Sequence, residues 1–319
     1  MTLVTIDAVR AASQLIQGRV YRTPMVHSKN LSARFGVEVY LKLEAMQKTG
    51  SFKVRGGINR INSLTDDERK RGVVALSAGN HAQGVAWAAT NAGVKSTFVM
   101  PANAVQSKVE ATRNYGGEVI QTAGDLMSVV KQLQAERGLA LVHPFDDPHV
   151  IAGAGTVANE IFDDLPNVDA ILFGIGGGGL AAGTAVVARA RRKATRVIGI
   201  EPDGACAMRQ SLDSGKAVYL DPPPRTAVVD ALGAPFAGAL TFEHVRDLAA
   251  EVYVLPDALF VEAMWLMMER CKVVTEPAAA AGIAALIAGC AQPAIEPGSS
   301  VAIVVSGGNV DRARLKALA

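Results

Sequence analysis

Between residues 72 and 143 the spacing of apolar positions switches back and forth between two periods. VVALSA, STFVMP, EVIQTA and LALVHP are short β-branched runs. Between them, NHAQGVAWAATNAG, AVQSKVEATRNYG and DLMSVVKQLQAERG repeat their apolar residues at helical spacing. The runs read as strands and the longer segments as helices. Glycine follows each helical segment, as a left-handed C-terminal cap favours. Strands separated by helical crossovers pair in parallel. The rhythm returns with VDAILFGI and TRVIGIEP on either side of LAAGTAVVARARR. EVYVLP and SVAIVVSGG follow, with DALFVEAMWLMMERC and EPAAAAGIAALIAG between them. The expected fold class is α/β, with two parallel-sheet open α/β domains. EVYLKLE, residues 38–44, precedes the first block, so residues 1–50 are grouped with 148–319 as a large domain. Residues 51–147 form an inserted small domain, and the polar HPFDDPH marks the join. At the start, MTLVTIDAVRAASQL lacks the apolar core of a signal peptide. Ile6, Val9, Ala12 and Ile16 share one helical face there, and Thr5 is placed to cap it.

Composition narrows the class. A chain of 319 residues, half of them apolar and 19% charged, builds a generous interior in about two domains. The 32 Lys+Arg nearly cancel the 30 Asp+Glu, and no basic stripe appears, so no nucleic-acid partner is expected. Ala170–Ala188 and Pro277–Ile295 are charge-free and long enough for a membrane span. The first holds six glycines, four of them consecutive, and the second is alanine-rich with an interior Pro293. Strand–turn–helix and buried helix are the better readings, and no membrane association is expected. Cys206, Cys271 and Cys290 form no paired framework, which points to a reducing compartment and the cytoplasm.

Four segments carry candidate chemistry. In ILFGIGGGGLAAGTAV an apolar strand runs through Gly176–Gly179 into a helix. Bare glycines let backbone N–H groups approach an anion, and the helix N-terminus adds partial positive charge, so a phosphate belongs there. Gly174, Gly176 and Gly179 also spell the dinucleotide fingerprint, with Glu201 following Gly179 by 22 residues as a ribose partner. On that motif alone the chain is a nicotinamide-dependent oxidoreductase. LSAGNHAQG puts Ser77, Gly79, Asn80 and His81 at another strand-to-helix switch, where they suit a carboxylate or simply cap the helix. VVSGGNVD delivers Ser306 to a Gly-Gly turn, as a ligand or as a capping serine. QKTGSFKVRGG sets Lys53 between Phe52 and Val54, an apolar neighbourhood of the kind that suits a Schiff-base lysine. Phosphate cup, lysine and carboxylate nest together are the signature of pyridoxal phosphate chemistry. The nicotinamide reading leaves Lys53 and Ser306 idle.

In order along the chain, KTGSFKVRGG, SAGNHAQGVA, HPFDDPHVIAGAGT, GIGGGGL, EPAAAAGIAAL and VVSGGNVD resemble the signatures of fold-type II pyridoxal-phosphate enzymes. That fold is tryptophan synthase β-like, and the nearest subgroup looks like threonine/serine dehydratases and serine racemase. The resemblance implies that Lys53 forms the Schiff base with the cofactor and later acts as the base at Cα. It implies that Phe52 and Asn80 contact the cofactor ring, that Gly176, Gly177, Gly178, Gly179 and Leu180 hold the phosphate, and that Ser306 bonds the pyridine nitrogen. Ser77, Gly79 and His81 would hold the substrate carboxylate, on a mobile small domain, and Glu276 looks like the family's acid near the pyridine side. The implied reaction is α,β-elimination from L-threonine or L-serine. A threo-3-hydroxyaspartate dehydratase, a serine racemase and a non-catalytic amino-acid-binding module are the alternatives. Three departures from the family pattern bear on this. Ala78 stands where the racemase has a serine that protonates the opposite face of Cα, which favours elimination. Glu201, Ala205 and Ala207 occupy the family's cation positions with one carboxylate missing, so no metal is expected. The chain ends at residue 319, so a C-terminal regulatory domain and feedback inhibition are not expected. A homodimer or homotetramer is expected. The apolar helix ALFVEAMWLMMERC is read as core rather than as a dimer face.

Overall fold

The computed structural model describes residues 2–226, 228–248, 250–290 and 295–319. Pro293, weighed above, lies outside the described residues. Helix α1, Ile6–Ile16, begins where the Thr5 hydroxyl accepts the Ala8 N–H, and it buries Val9, Ala12 and Ile16. Strand β1 (Met25–His27), α2 (Lys29–Phe35) and β2 (Glu38–Lys42) follow, then α3 (Lys53–Asn62) and α4 (Asp66–Arg71). The alternating block gives β3 (Val73–Leu76), α5 (Asn80–Asn91), β4 (Ser96–Pro101), α6 (Gln106–Asn114), β5 (Glu118–Thr122), α7 (Leu126–Arg137) and β6 (Ala140–Leu141). The remainder runs α8 (Pro148–Asp164), β7 (Ala170–Gly174), α9 (Gly179–Arg191), β8 (Arg196–Pro202), α10 (Ala207–Ser214) and α11 (Ala239–Asp247). It closes with β9 (Glu251–Leu255), α12 (Asp257–Cys271), α13 (Ala281–Ala288), β10 (Ser300–Val304) and α14 (Arg312–Ala317).

Two sheets result. The larger has the order β1-β2-β10-β7-β8-β9 and the smaller β5-β4-β3-β6. All neighbours pair in parallel except β1, which runs antiparallel to β2 at the sheet edge. The parallel α/β sheets agree with the sequence reading; the antiparallel edge strand was not among its elements, since three residues, MVH, are too few to show a period. Strand β2 lies beside β10, so the first fifty residues contribute to the same sheet as the C-terminal half. The run LALVHP yields only a two-residue strand, because the Val142 and Pro144 carbonyls turn to accept side-chain donors instead of a ladder. Helix α12 buries Phe260, Ala263, Met264, Leu266 and Met267, so its apolar face is core, as read. The first charge-free stretch folds as β7–turn–α9, and the described part of the second holds the buried helix α13. No helix among the described residues is long and apolar enough to cross a membrane.

Glycine spacing brings four helices into backbone contact. A Cβ on Gly84 of α5 would stand 2.8 Å from the Val54 nitrogen of α3, and one on Gly153 of α8 2.6 Å from Gly56 Cα. A Cβ on Gly183 of α9 would stand 2.5 Å from the Gly155 nitrogen of α8. Gly153 and Gly155 differ by about 200° around α8, so they serve opposite neighbours. Every one of these close approaches falls in the first eight residues of its helix. The N-termini of α5, α3, α8 and α9 are thereby gathered at one place.

Candidate active site

Lys53 is the first residue of α3, and Phe52 before it donates its N–H to the Ser306 carbonyl at 3.0 Å. The Lys53 amine stands 5.1 Å from the Phe52 ring centroid and donates to the Pro144 carbonyl at 2.9 Å. Burial lowers its pKa from 10.5 to about 8, against the pull of the Glu276 carboxylate. Nearby lysines are spent elsewhere. Lys42 is paired with Glu160 at 2.6 Å, and Lys48 lies over the Tyr21 and Trp87 rings. Of the three, Lys53 is the one whose amine bonds only a carbonyl among the described residues.

Helix α5 starts at Asn80, with Gly79 as its N-cap and no side chain bonding its first N–H groups. Ser77, half-buried, accepts the Gly79 N–H at 3.3 Å, so neither Ser77 nor Asn80 caps the helix. A Cβ at Gly79 would meet nothing within 4 Å, so the space before this helix end is open. Asn80 donates to Glu276 Oε1 at 2.7 Å and accepts from Asn309 at 2.7 Å. Burial lifts the Glu276 carboxyl to about 7, opposed by the Asn80 hydrogen bond. The imidazole of His81 bonds the Val142 carbonyl through Nε2 at 3.0 Å, which places the ring proton on Nε2. Its Nδ1 is buried without a partner among the described residues. Burial, then the Lys53 charge, lowers its pKa to about 3. What His81 offers an anion at neutral pH is therefore its backbone N–H, not a charged ring.

The glycine quartet forms the opposite wall. Gly178, at φ +97°, is the N-cap of α9 in a backbone region that side chains disfavour, and no side chain bonds this helix end. The Gly177 carbonyl accepts the Thr241 hydroxyl at 2.6 Å. A Cβ on Gly177 would fall 2.2 Å from the Phe145 ring, and one on Gly179 3.2 Å from Phe145 Cα. Leu180 buries its side chain in the core, leaving its N–H toward the helix end. The segment 143–147, read above only as a join, thus supplies both the carbonyl that holds Lys53 and the ring that covers the quartet. Ser306 is buried just past β10, beside the Ser51–Gly307 bridge. It caps no helix: α14 begins only at Arg312, capped by Asp311.

The surrounding helix ends differ in one respect. Asp147 caps α8, and Asp146 accepts the N–H groups of Ala239, Leu240 and Thr241 at the start of α11. Glu201, fully buried, accepts the Met208 and Arg209 N–H groups at 2.9 and 2.8 Å at the start of α10. Each of these three ends is closed by a carboxylate. No carboxylate closes α5 or α9, nor α3, which begins at Lys53 itself; the glycine-fronted ends of α5 and α9 are left for anions. Glu201, spent on α10, is not presented to a ribose, which removes the acid that the dinucleotide reading requires. Beside Glu276 opens a cavity of about 430 Å³, lined by Gln83, Lys108, Asp230, Asn309 and Asp311. Lys108 reaches Asp230 at 2.7 Å across it.

Comparison with known proteins places this geometry. The chain matches the family described as pyridoxal-phosphate dependent enzyme over residues 16–307. It belongs to that family. It is 41% identical over 312 residues to the L-threonine ammonia-lyase of Thermotoga maritima, covering 97% of this chain and 76% of that one. It is 40% identical over 317 residues to the catabolic L-threonine dehydratase TdcB of Escherichia coli, covering 98% and 95%. The solved structure of maize serine racemase superposes with a TM-score of 0.94 at 39% identity, over 99% of this chain and 97% of that one. The residues present fit the cofactor: an uncapped helix end behind bare glycines for a phosphate, and a lysine of lowered pKa for an aldehyde.

Sequence reasoning missed Pro144, Phe145, Asp146 and Asn309. The first three follow β6, and ligands in open α/β sheets gather beyond the carboxyl ends of strands. That rule, applied to LALVHP, was the available signal. Asn309 had none, since its bonds to Thr49 and Asn80 span more than two hundred residues.

Proposed function

We propose that this protein is a pyridoxal-phosphate-dependent threonine/serine ammonia-lyase, converting L-threonine to 2-oxobutanoate and ammonia. The observation that carries the reading is the pair of uncapped helix N-termini, α5 and α9, on either side of the low-pKa Lys53. A cofactor phosphate and an amino-acid carboxylate are two anions, and an amine must stand between them. The ammonia-lyase and dehydratase relatives support the substrate class by their names.

Bound pyridoxal phosphate supplies an aldehyde for amines and an electron sink for the electrons of the Cα–H bond. The N–H groups of Gly176–Gly179 and Leu180 would hold its phosphate at the positive end of α9. The Ser306 hydroxyl would serve the pyridine nitrogen as a neutral partner, and the Asn80 amide, fixed by Glu276 and Asn309, would contact the ring. The substrate carboxylate sits at α5, on the Ser77 hydroxyl and the N–H groups of Gly79 and His81. Lys53 Nζ, neutral in a useful fraction near its pKa of about 8, takes the Cα proton. Ala78 has no proton to give the opposite face, which favours loss of the β-hydroxyl over racemisation. Residues 1–50 with 148–319, and 51–147, are the two domains of this reading, with the second moving over substrate. A cytoplasmic homo-oligomer is part of it, in keeping with the free cysteines Cys206, Cys271 and Cys290.

The test is 2-oxo acid release from L-threonine, L-serine, D-serine and threo-3-hydroxyaspartate, with Lys53→Ala in parallel. Oxobutanoate from L-threonine, absent in the variant, is the expected result. Release only from hydroxyaspartate moves the substrate, and no release from any of them overturns the reading.

A further inference from the structure

Lys53 is carried by a helix that is held from behind by a closed ionic cluster. Arg55 lies two residues on, about 200° around α3, so it points away from the site into the protein. Its side chain is fully buried. The guanidinium grips Glu44 with Nε to Oε2 at 2.8 Å and Nη2 to Oε1 at 2.7 Å. It grips Glu160 of α8 with Nη1 to Oε1 at 2.7 Å and Nη2 to Oε2 at 3.0 Å. Nη1 also donates to the Thr156 hydroxyl at 3.2 Å, and Nη2 to the Tyr21 carbonyl at 3.4 Å. Lys42, buried in β2, bonds Glu160 at 2.6 Å and the Thr23 carbonyl at 2.7 Å. The Thr23 hydroxyl completes Glu44 at 2.5 Å. Two cations meet two carboxylates, and every guanidinium N–H direction is used.

Stability alone does not account for this arrangement. Buried ion clusters are often replaceable by apolar side chains without loss of stability, and what they can add is a single geometry. A planar fork held bidentately on two sides fixes both rotation and translation, which a lysine does not do. Glu44 follows β2 in the large sheet, and Glu160 stands on α8, the helix wedged between α3 and α9. The first turn of α3 has no side-chain cap of its own. Lys53 is the first residue of that turn, so any rotation or slide of α3 displaces its amine directly. We infer that Arg55, gripped by Glu44 and Glu160, is the positioning residue that sets where the Lys53 amine stands against the glycine cradle. The inference rests on the reading of Lys53 as the reacting amine.

The test uses Arg55→Lys, which keeps the charge but cannot span two carboxylates, and Glu160→Gln, at the partly exposed rim of the cluster, in case the first does not fold. In cofactor-free protein, the pH midpoint of Lys53 modification by an amine reagent is read by peptide mass spectrometry. In loaded protein, kcat and KM for L-threonine are compared. The wild-type midpoint is expected at about 8, and in the variants it moves up toward 10.5. kcat is expected to fall by on the order of ten- to a hundredfold with little change in KM, as a displacement near 1 Å produces. A folded variant with unchanged midpoint and unchanged kcat overturns the inference, whatever its melting temperature. If wild-type protein shows no Lys53-dependent turnover, the functional reading fails, while the midpoint in cofactor-free protein still decides the positioning claim.

Discussion

Replacing Gly153 with alanine adds one methyl group where α8 meets α3. The new Cβ would lie 2.6 Å from Gly56 Cα, 2.7 Å from the Arg55 carbonyl oxygen and 2.9 Å from the Arg55 carbonyl carbon. All three are backbone atoms, so no flexible side chain can yield. Ordinary contact begins at 3.4 Å, so the helices must part by about 0.8 Å. Overpacking of this kind costs about 1–3 kcal/mol. Alanine returns about 1 kcal/mol through its better helix propensity. The net is a loss of about 0–2 kcal/mol, or a fall of about 0–3 °C in melting temperature for a chain of this size. The effect on turnover is larger, because α3 carries Lys53 and α8 sets its distance from α9. A misplacement near 1 Å costs on the order of a hundredfold in rate. Thermal unfolding and 2-oxo acid release from L-threonine measure the two effects. A variant that melts higher, as helix propensity alone would give, and turns over at the wild-type rate refutes the spacing argument.

Other outcomes follow from single groups. An amine must be neutral to attack an aldehyde, so covalent capture of pyridoxal phosphate by cofactor-free protein is expected to rise with pH through about 8; a midpoint at the ordinary lysine value contradicts the burial of Lys53. Burial raises the Glu276 carboxyl from 4.5 to about 7, so its contribution to stability is full below pH 4.5 and lost as pH rises through about 7. Glu276→Gln should remove that decline, read as the change in urea midpoint between about pH 5 and about pH 8. Ala78→Ser restores a proton donor at the opposite face of Cα and is expected to give measurable D-serine from L-serine, by chiral chromatography, where the wild type gives little.

The parts of the site that could be read from sequence are those whose chemistry is local. Gly176–Gly179 needs no partner to announce a close backbone approach, and a lysine between Phe52 and Val54 needs only its neighbours. Strand and helix positions were readable for the same reason: β3, β4, β5, β7, β8, β9 and β10 each fill a run with its own period. What was not readable depends on contacts between distant segments. Whether a helix end is capped from across the chain decides which ends bind anions, and Asp146 on α11 spans 93 residues or more. Arg55 carries no signal in the sequence, since its partners Glu44 and Glu160 meet it only in the folded chain. Ser306 stayed open between ligand and helix cap because a Gly-Gly turn usually precedes a helix closely, whereas here α14 begins only after Asp311.

The central claim is that Lys53 is the amine that joins the cofactor. The direct measurement is borohydride reduction of protein loaded with pyridoxal phosphate, followed by digestion and mass spectrometry. The account predicts a phosphopyridoxyl group on the peptide containing Lys53 and its loss in Lys53→Ala. A stable adduct on Lys42 or Lys48 instead, or none at all, contradicts it.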